Sequence, residues 1–230
     1  MKLLIIPDVH GRDFWMDPCS HIDEFDKVIF LGDYHDPYLT QVSRDKSRHQ
    51  LRDTLVPFVK EHQDKVICLL GNHDGNYIIG EMADRFDRYH QKEIRDLLKQ
   101  MDLKLAHQEG NYLFTHSGVL PEWLDYNKLT LEDVLDNNVP VEALTQVSPR
   151  RGGSDPCGSC IWGDVREYAR AKKLEGIYQI FGHTQMEHEI ITPEFACLDC
   201  REAFVLDTDK DYIIKYSSYN KININQYVYK

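Results

Sequence analysis

A chain of 230 residues, 42% hydrophobic and 28% charged, has the composition of a soluble globular protein with room for one large core or two small ones. Its formal net charge of -11 argues against a general nucleic-acid or membrane-surface binder, because both need a basic face. No stretch approaches the roughly 20 apolar residues needed to span a bilayer. The apolar start meets Asp8 too soon for a secretory leader, so a cytoplasmic protein is expected.

Residues 2–7 read as a buried strand ending in Asp8-Val9-His10-Gly11. In an extended chain, residues two apart point the same way, so Asp8 and His10 could reach one centre. Residues 27–31 form a second such run, ending in Gly32-Asp33-Tyr34-His35-Asp36. A helix is expected over about 40–62, with Leu51, Leu55, Phe58 and Val59 on one face and a kink or break at Pro57. Residues 65–70 are a third apolar run, ending in Gly71-Asn72-His73-Asp74, where glycine allows a sharp turn.

Ile94, Leu97, Leu98 and Met101 recur at amphipathic-helix spacing. Residues 103–106 and 112–115 read as a strand pair turning at Glu109-Gly110-Asn111, the second strand ending in His116-Ser117-Gly118. Residues 129–135 suit a short helix opened by Thr130. From 137 to 160 the composition turns polar and aperiodic, which reads as an inserted lid or loop rather than a domain linker. A helix over 165–173 and a strand over 178–181 follow, the strand ending in Gly182-His183-Thr184. The tail carries short strand-like runs, and 212–229 is rich in aromatics, as sheet packing would require.

The residues at these strand ends carry the chemistry. Asp8, His10, Asp33, Asn72, His116 and His183 are hard oxygen and borderline nitrogen donors without a thiolate. That set suits a pair of Mn, Fe or Zn type ions and is too rich in nitrogen for Ca. One carboxylate must bridge such a pair, and Asp33 is the natural bridge. Two ions of this kind acidify a shared water and clamp the attacking and leaving oxygens of an in-line displacement at phosphorus. His73 stands next to Asn72 but points differently, which frees it to be the general acid. Asp36 is the candidate to hold it as imidazolium, with Asp74 as the alternative.

Asp8-Val9-His10, Gly32-Asp33 with Asp36, Gly71-Asn72-His73-Asp74, Thr115-His116-Ser117 and Gly182-His183-Thr184 resemble, in order, the motifs of calcineurin-like metallophosphoesterases. The resemblance implies an α/β fold, a four-layer sandwich of two mixed β-sheets flanked by helices, as a single domain over 1–230 with the insertion at about 137–160. It also implies one metal on Asp8, His10 and Asp33, and a second on Asp33, Asn72, His116 and His183. Asp33-Tyr34-His35-Asp36 and Ile161-Trp162-Gly163-Asp164 are similar to segments of the phosphoprotein (Ser/Thr) phosphatase branch. In that branch the last Asp of the first segment orients the catalytic histidine. Two positions depart: Pro37 stands where that branch has a phosphate-gripping Arg, and Gln185 where many members have His. Arg12, Arg150 and Arg151 are candidates to supply the missing clamp through bidentate hydrogen bonds.

The expected activity is metal-dependent hydrolysis of phosphate monoesters on a phosphorylated small molecule, nucleotide or phosphoprotein. Nucleotides or bis(5'-nucleosyl) polyphosphates form the alternative substrate set. A phosphodiesterase or nuclease, or a non-catalytic module on the same scaffold, are the rivals. Cys157 and Cys160, with Cys197 and Cys200, form two CxxC pairs. These suit a structural zinc, or else core thiols or a redox-sensitive pair.

Overall fold

The computed structural model describes residues 1–80 and 84–219. Ten strands form two five-stranded mixed sheets. They are β1 (Lys2–Ile6), β2 (Lys27–Phe30), β3 (Val66–Cys68), β4 (Ala106–Glu109), β5 (Tyr112–Thr115), β6 (Tyr178–Phe181), β7 (Ile190–Ile191), β8 (Phe195–Cys197), β9 (Phe204–Asp207) and β10 (Tyr212–Lys215). The first sheet runs β10-β9-β1-β2-β3 and the second β4-β5-β6-β8-β7. In the first, β1, β2 and β3 are parallel and β9 and β10 antiparallel. In the second, β5, β6 and β8 are parallel, flanked by antiparallel β4 and β7.

Side-chain alternation explains why these strands read as unbroken apolar runs. Leu3 and Ile5 of β1 point into a core shared with Phe114, Ile180, Ala196 and Leu206, so the sheets face each other. Leu4 and Ile6 point the other way, into a second core with Trp15, Leu51, Leu55 and Ile94 from the helical segments. The far face of the second sheet is covered by Trp123, Val134, Leu144 and Tyr168. A strand buried on both faces needs apolar side chains at every position. The architecture is therefore the expected sandwich of helices, sheet, sheet and helices.

The local differences have physical causes. The helix expected over 40–62 starts at Arg44, where the Ser43 side chain caps it, and runs in three pieces to Glu61. Its middle, Leu51–Leu55, is a π-type turn in which Val56 N–H donates to Leu51 O, five residues back. Pro57 has no N–H to give and its ring crowds the carbonyl of Asp53, which the wider turn accommodates. The strand expected over 103–106 begins at Ala106 instead, because the tight Gly110-Asn111 turn pairs Glu109 with Tyr112. Leu105 and its neighbours run alongside β3, with Lys104 bridged to Leu69. The helix expected over 165–173 closes after Tyr168.

Residues 137–160 contain a helical turn, Val141–Leu144, and a 3-10 turn, Pro149–Arg151. They are anchored on the second sheet's outer core through Ala143, Leu144, Cys157 and Cys160. The aromatic run expected over 212–229 lies outside the described residues from 220 onward. Among the described residues no helix is long and apolar enough to cross a membrane.

Candidate metal centre

The carboxyl ends of the parallel strands of both sheets meet at one edge. β1 delivers Asp8 and His10, β2 delivers Asp33 and Asp36, and β3 delivers Asn72 and His73 at the first turn of the helix Asn72–Ile79. β5 delivers His116 and β6 delivers His183. All eight are buried. The loops that carry them are tight: His10, Asp33, Asp36 and His183 adopt left-handed backbone, with φ of 46°, 55°, 55° and 64°. That conformation is costly for residues with a Cβ, and such strain collects at functional sites. It also corrects the extended geometry expected for Asp8-Val9-His10. β1 ends at Ile6, and His10 reaches the centre through a turn.

Asp33 is the hub. Its carboxylate belongs to two groups of metal-ligating side chains, one with His10 and His73 and the other with His116 and His183. Asp33 Oδ2 lies 3.4 Å from His10 Nε2 and 3.6 Å from His116 Nε2. Its Oδ1 accepts from the His73 amide at 2.9 Å. Gly71 has to be glycine here, because a Cβ would fall 2.1 Å from Asp33 Oδ1. Asp74 does not touch the His73 ring. Its carboxylate accepts from the amides of Asp33, Tyr34 and Gly71, tying the β2 loop to the helix start.

The imidazoles are set as ligands by their outer nitrogens. His10 Nδ1–H donates to the carbonyl of His35 at 2.9 Å, and His116 Nδ1–H to that of Leu31 at 2.8 Å. Each bond fixes the tautomer and leaves the Nε2 lone pair facing inward. His116 Nε2 then looks at Asn72 Oδ1, 3.0 Å away, and at His183 Nδ1, 3.1 Å away. With its hydrogen on Nδ1, His116 Nε2 has none to give Asn72 Oδ1, so two acceptors face each other there. Burial holds His10 and His183 well below the ordinary histidine range, which keeps both rings neutral. His183 Nε2 is buried without a hydrogen-bond partner among the described residues. Converging neutral nitrogens, an amide oxygen and buried carboxylates make a donor set that fits a pair of divalent cations.

Asp8, equally buried, belongs to neither group. Its two carboxylate oxygens accept from the His183 amide at 3.0 and 3.1 Å. Burial raises its pKa and the neighbouring Asp33 charge adds to that, against the pull of His116. For Asp33 the balance is reversed: burial pushes it up, but His116, His73 and His10 outweigh burial and hold it low.

Within the first group, His73 Nδ1–H donates to Asp36 Oδ2 at 2.9 Å. The other Asp36 oxygen accepts from the Tyr77 hydroxyl. The arginines fall differently from expectation. Arg12 is buried and spends Nε and Nη2 on the carbonyls of Val9 and Asp8. Arg151 is paired with Asp164 and donates to Thr184 Oγ1 and the His183 carbonyl. Arg150 is exposed. The residue that sequence reasoning missed is Arg85. Its Nη2 donates to His73 Nε2 at 2.8 Å and its Nη1 to the Asp36 carbonyl at 2.7 Å. No motif surrounds it, so nothing in its local sequence could have flagged it.

The zinc expectation for Cys157, Cys160, Cys197 and Cys200 is corrected. All are free, buried thiols, and among the described residues they form no metal-binding group. Cys157, Cys160 and Cys197 fill the core behind the second sheet, while Cys200 sits between the sheets. With its amide oxygen turned to Arg201, Gln185 accepts from Nε and Nη2 at 3.0 and 2.7 Å.

Known proteins place this geometry. A symmetrical bis(5'-nucleosyl)-tetraphosphatase of Nitrosospira multiformis is 32% identical over 81 residues, which is 30% of this chain and 29% of that protein. Its counterpart from Haemophilus ducreyi is 25% identical over 138 residues, 54% of this chain and 47% of that protein. The chain therefore spans less than half the length of either curated relative. Among solved structures, a cold-active protein-tyrosine phosphatase of a psychrophilic Shewanella covers 93% of this chain and 77% of its own, with a TM-score of 0.61 and 17% identity. A Saccharomyces cerevisiae protein serine/threonine phosphatase with similarity to human phosphatase PP5 covers 94% and 78%, at a TM-score of 0.53 and 14% identity. At such identities these two likenesses speak to the fold. Residues 1–187 match the family model of the calcineurin-like phosphoesterases, and the chain belongs to that family of metal-dependent phosphoric ester hydrolases.

Proposed function

We propose that this chain hydrolyses phosphate monoesters at a dinuclear metal centre, with a site of the Ser/Thr-protein-phosphatase type. The observation that carries this reading is Asp33, one buried carboxylate shared by two groups of metal-ligating side chains. Asp8, His10 and Asp33 would hold one ion, and Asp33, Asn72, His116 and His183 the other, with Mn, Fe or Zn suited to the donors. When bound, such a pair supplies Lewis acidity to the phosphoryl group and to the attacking water.

The chain's own side chains supply orientation and the proton. Asp36 fixes the His73 ring through Nδ1, and Tyr77 fixes Asp36, which leaves Nε2 to serve a leaving oxygen once it carries a proton and Arg85 Nη2, which donates to it here, has turned to the phosphate. The packed loops of both sheets restrict water around the buried centre.

Turnover of p-nitrophenyl phosphate by the chain supplied with Mn tests the reading. Asp33→Asn is expected to abolish it, and His73→Ala to lower kcat for an alkyl monoester by about 10²-fold or more. Full activity in Asp33→Asn would reject the shared-carboxylate assignment. The names of the two curated relatives favour a second reading, cleavage of a bis(5'-nucleosyl) polyphosphate. A higher kcat/KM on a bis(5'-nucleosyl) tetraphosphate than on any monoester would put that reading first. Preference for bis-p-nitrophenyl phosphate over the monoester would instead point to a phosphodiesterase.

A further inference from the structure

We propose that Arg85 is the arginine that grips the substrate phosphate in this site. The inference rests on the phosphoesterase reading above and goes beyond it by naming a binding residue outside every recognised motif. Arg85 reaches the site from a loop 12 residues beyond His73, and its own backbone is left-handed, with φ of 65°. The guanidinium lies over the Tyr38 ring, 3.8 Å from the centroid, and Tyr38 in turn packs edge-on to His10 at 5.2 Å. Its two terminal nitrogens point at His73 Nε2 and the Asp36 carbonyl. The fork therefore stands beside the nitrogen assigned to the leaving oxygen, on a histidine that shares a group with Asp33.

Two comparisons single it out. Arg12 has two donors committed to backbone carbonyls and faces Asp199 at 3.9 Å. Arg151 is neutralised by the buried Asp164. Arg85, among the described residues, has no carboxylate within ion-pair distance, and its side-chain partners are His73 Nε2 and the Asp36 carbonyl. Bonds of that kind are weaker than the charge-assisted pair a phosphate dianion offers the same fork. A full positive charge held beside His73 by an aromatic face and a backbone carbonyl, with no paired carboxylate among the described residues, is arranged for an anion. It stands against the Asp36 carbonyl, next to Pro37. An arginine from another loop thus provides the clamp that the local sequence lacks.

The test measures inorganic phosphate binding to the Mn-loaded chain by calorimetry, alongside KM and kcat for p-nitrophenyl phosphate. Arg85→Ala is expected to weaken phosphate binding and raise KM by about tenfold to hundredfold, the worth of a bidentate charged pair. Arg85→Lys restores part of the loss, because a point charge replaces the fork, and added guanidinium ion rescues the alanine variant. A residue that only held the loop in place would lower kcat or melting temperature and leave phosphate affinity alone. Where Arg85→Ala does not fold, Arg85→Gln gives the same readout.

Phosphate affinity and KM within twofold of the wild type in a folded Arg85 variant, with turnover still dependent on Asp33, would overturn this assignment and leave the hydrolase reading standing. Arg85-dependent phosphate binding without turnover of any ester would keep the assignment and remove the hydrolase reading.

Discussion

Asp36 shows how much a single buried carboxylate can be asked to do. Its two oxygens serve His73 and Tyr77, and its left-handed backbone aims the carbonyl at Arg85. If its role is to orient His73, Asp36→Asn should cost most where the leaving group most needs a proton. We expect kcat for an alkyl monoester to fall about 10²-fold, and for p-nitrophenyl phosphate far less, because its phenolate departs unprotonated. Equal losses on both substrates would mean that Asp36 supports the fold of the loop and not the ring. The cysteines make the opposite case, of reactive-looking residues held inert. Burial pushes the Cys68 and Cys160 thiols up to about 12, and Cys157 and Cys200 to about 11. At pH 8 the folded chain should therefore resist iodoacetamide, and all six thiols should label once it is denatured. Serine substitutions in either CxxC pair should leave the zinc content of the purified protein unchanged.

At the scale of elements, the strands were legible in the sequence because burial on both faces leaves an uninterrupted apolar signature. Their polar ends were legible for the same reason: β1, β2, β3, β5 and β6 each stop within a few residues of a ligand-type side chain. What sequence could not supply was backbone conformation beyond the strand. His10, Asp33, Asp36 and His183 turn left-handed, which their residue types alone do not announce. Nor could it supply Arg85, which reaches Asp36 across 49 residues of chain. The segment Ile161-Trp162-Gly163-Asp164 was legible as a motif, and its element shows what the aspartate does locally. Asp164 caps the helix Val165–Tyr168: its buried carboxylate accepts from Arg166 and pairs with the charge of Arg151, and its amide donates to Glu167 Oε2. Burial alone would raise its pKa, but the Arg166 hydrogen bonds and the Arg151 charge outweigh burial and lower it. Because the folded value lies below the unfolded one, its stabilisation is present above the ordinary aspartate pKa of about 3.9 and lost as pH falls through the folded value. Asp164→Asn should therefore destabilise the chain by about 2 kcal/mol at pH 7 and by much less near pH 3, measured by urea denaturation. A pH-independent difference would assign the loss to packing.

The whole molecule carries a net charge of -11 and concentrates much of its buried acid at one edge. Asp8, Asp33, Asp36, Asp74 and Asp199 are all buried there. Burial raises Asp8, Asp74 and Asp199, and the charge of Asp33 or Asp8 adds to each. Backbone amides and histidines offset part of this cost, but a fold that gathers like charges out of water without compensation gives up stability. The two sheets supply ligands from both sides: β1, β2 and β3 on one, β5 and β6 on the other. Cations bound between them would neutralise the acids and tie the sheets together at the edge where their strands end. Folding stability should therefore rise with metal, and by mass action rather than by a fixed amount. At Mn about a hundred times its Kd the gain is about 2.7 kcal/mol, which for a domain of this size raises Tm by about 5–10 °C. Chelation should reverse the shift. Asp33→Asn should abolish most of it, because on the proposed assignment each ion would lose the carboxylate it shares, whereas Asp164→Asn should lower Tm equally with and without metal. A melting temperature indifferent to Mn in the wild-type chain would mean that the edge tolerates its acids unaided, and that the convergence on Asp33 is a feature of packing alone.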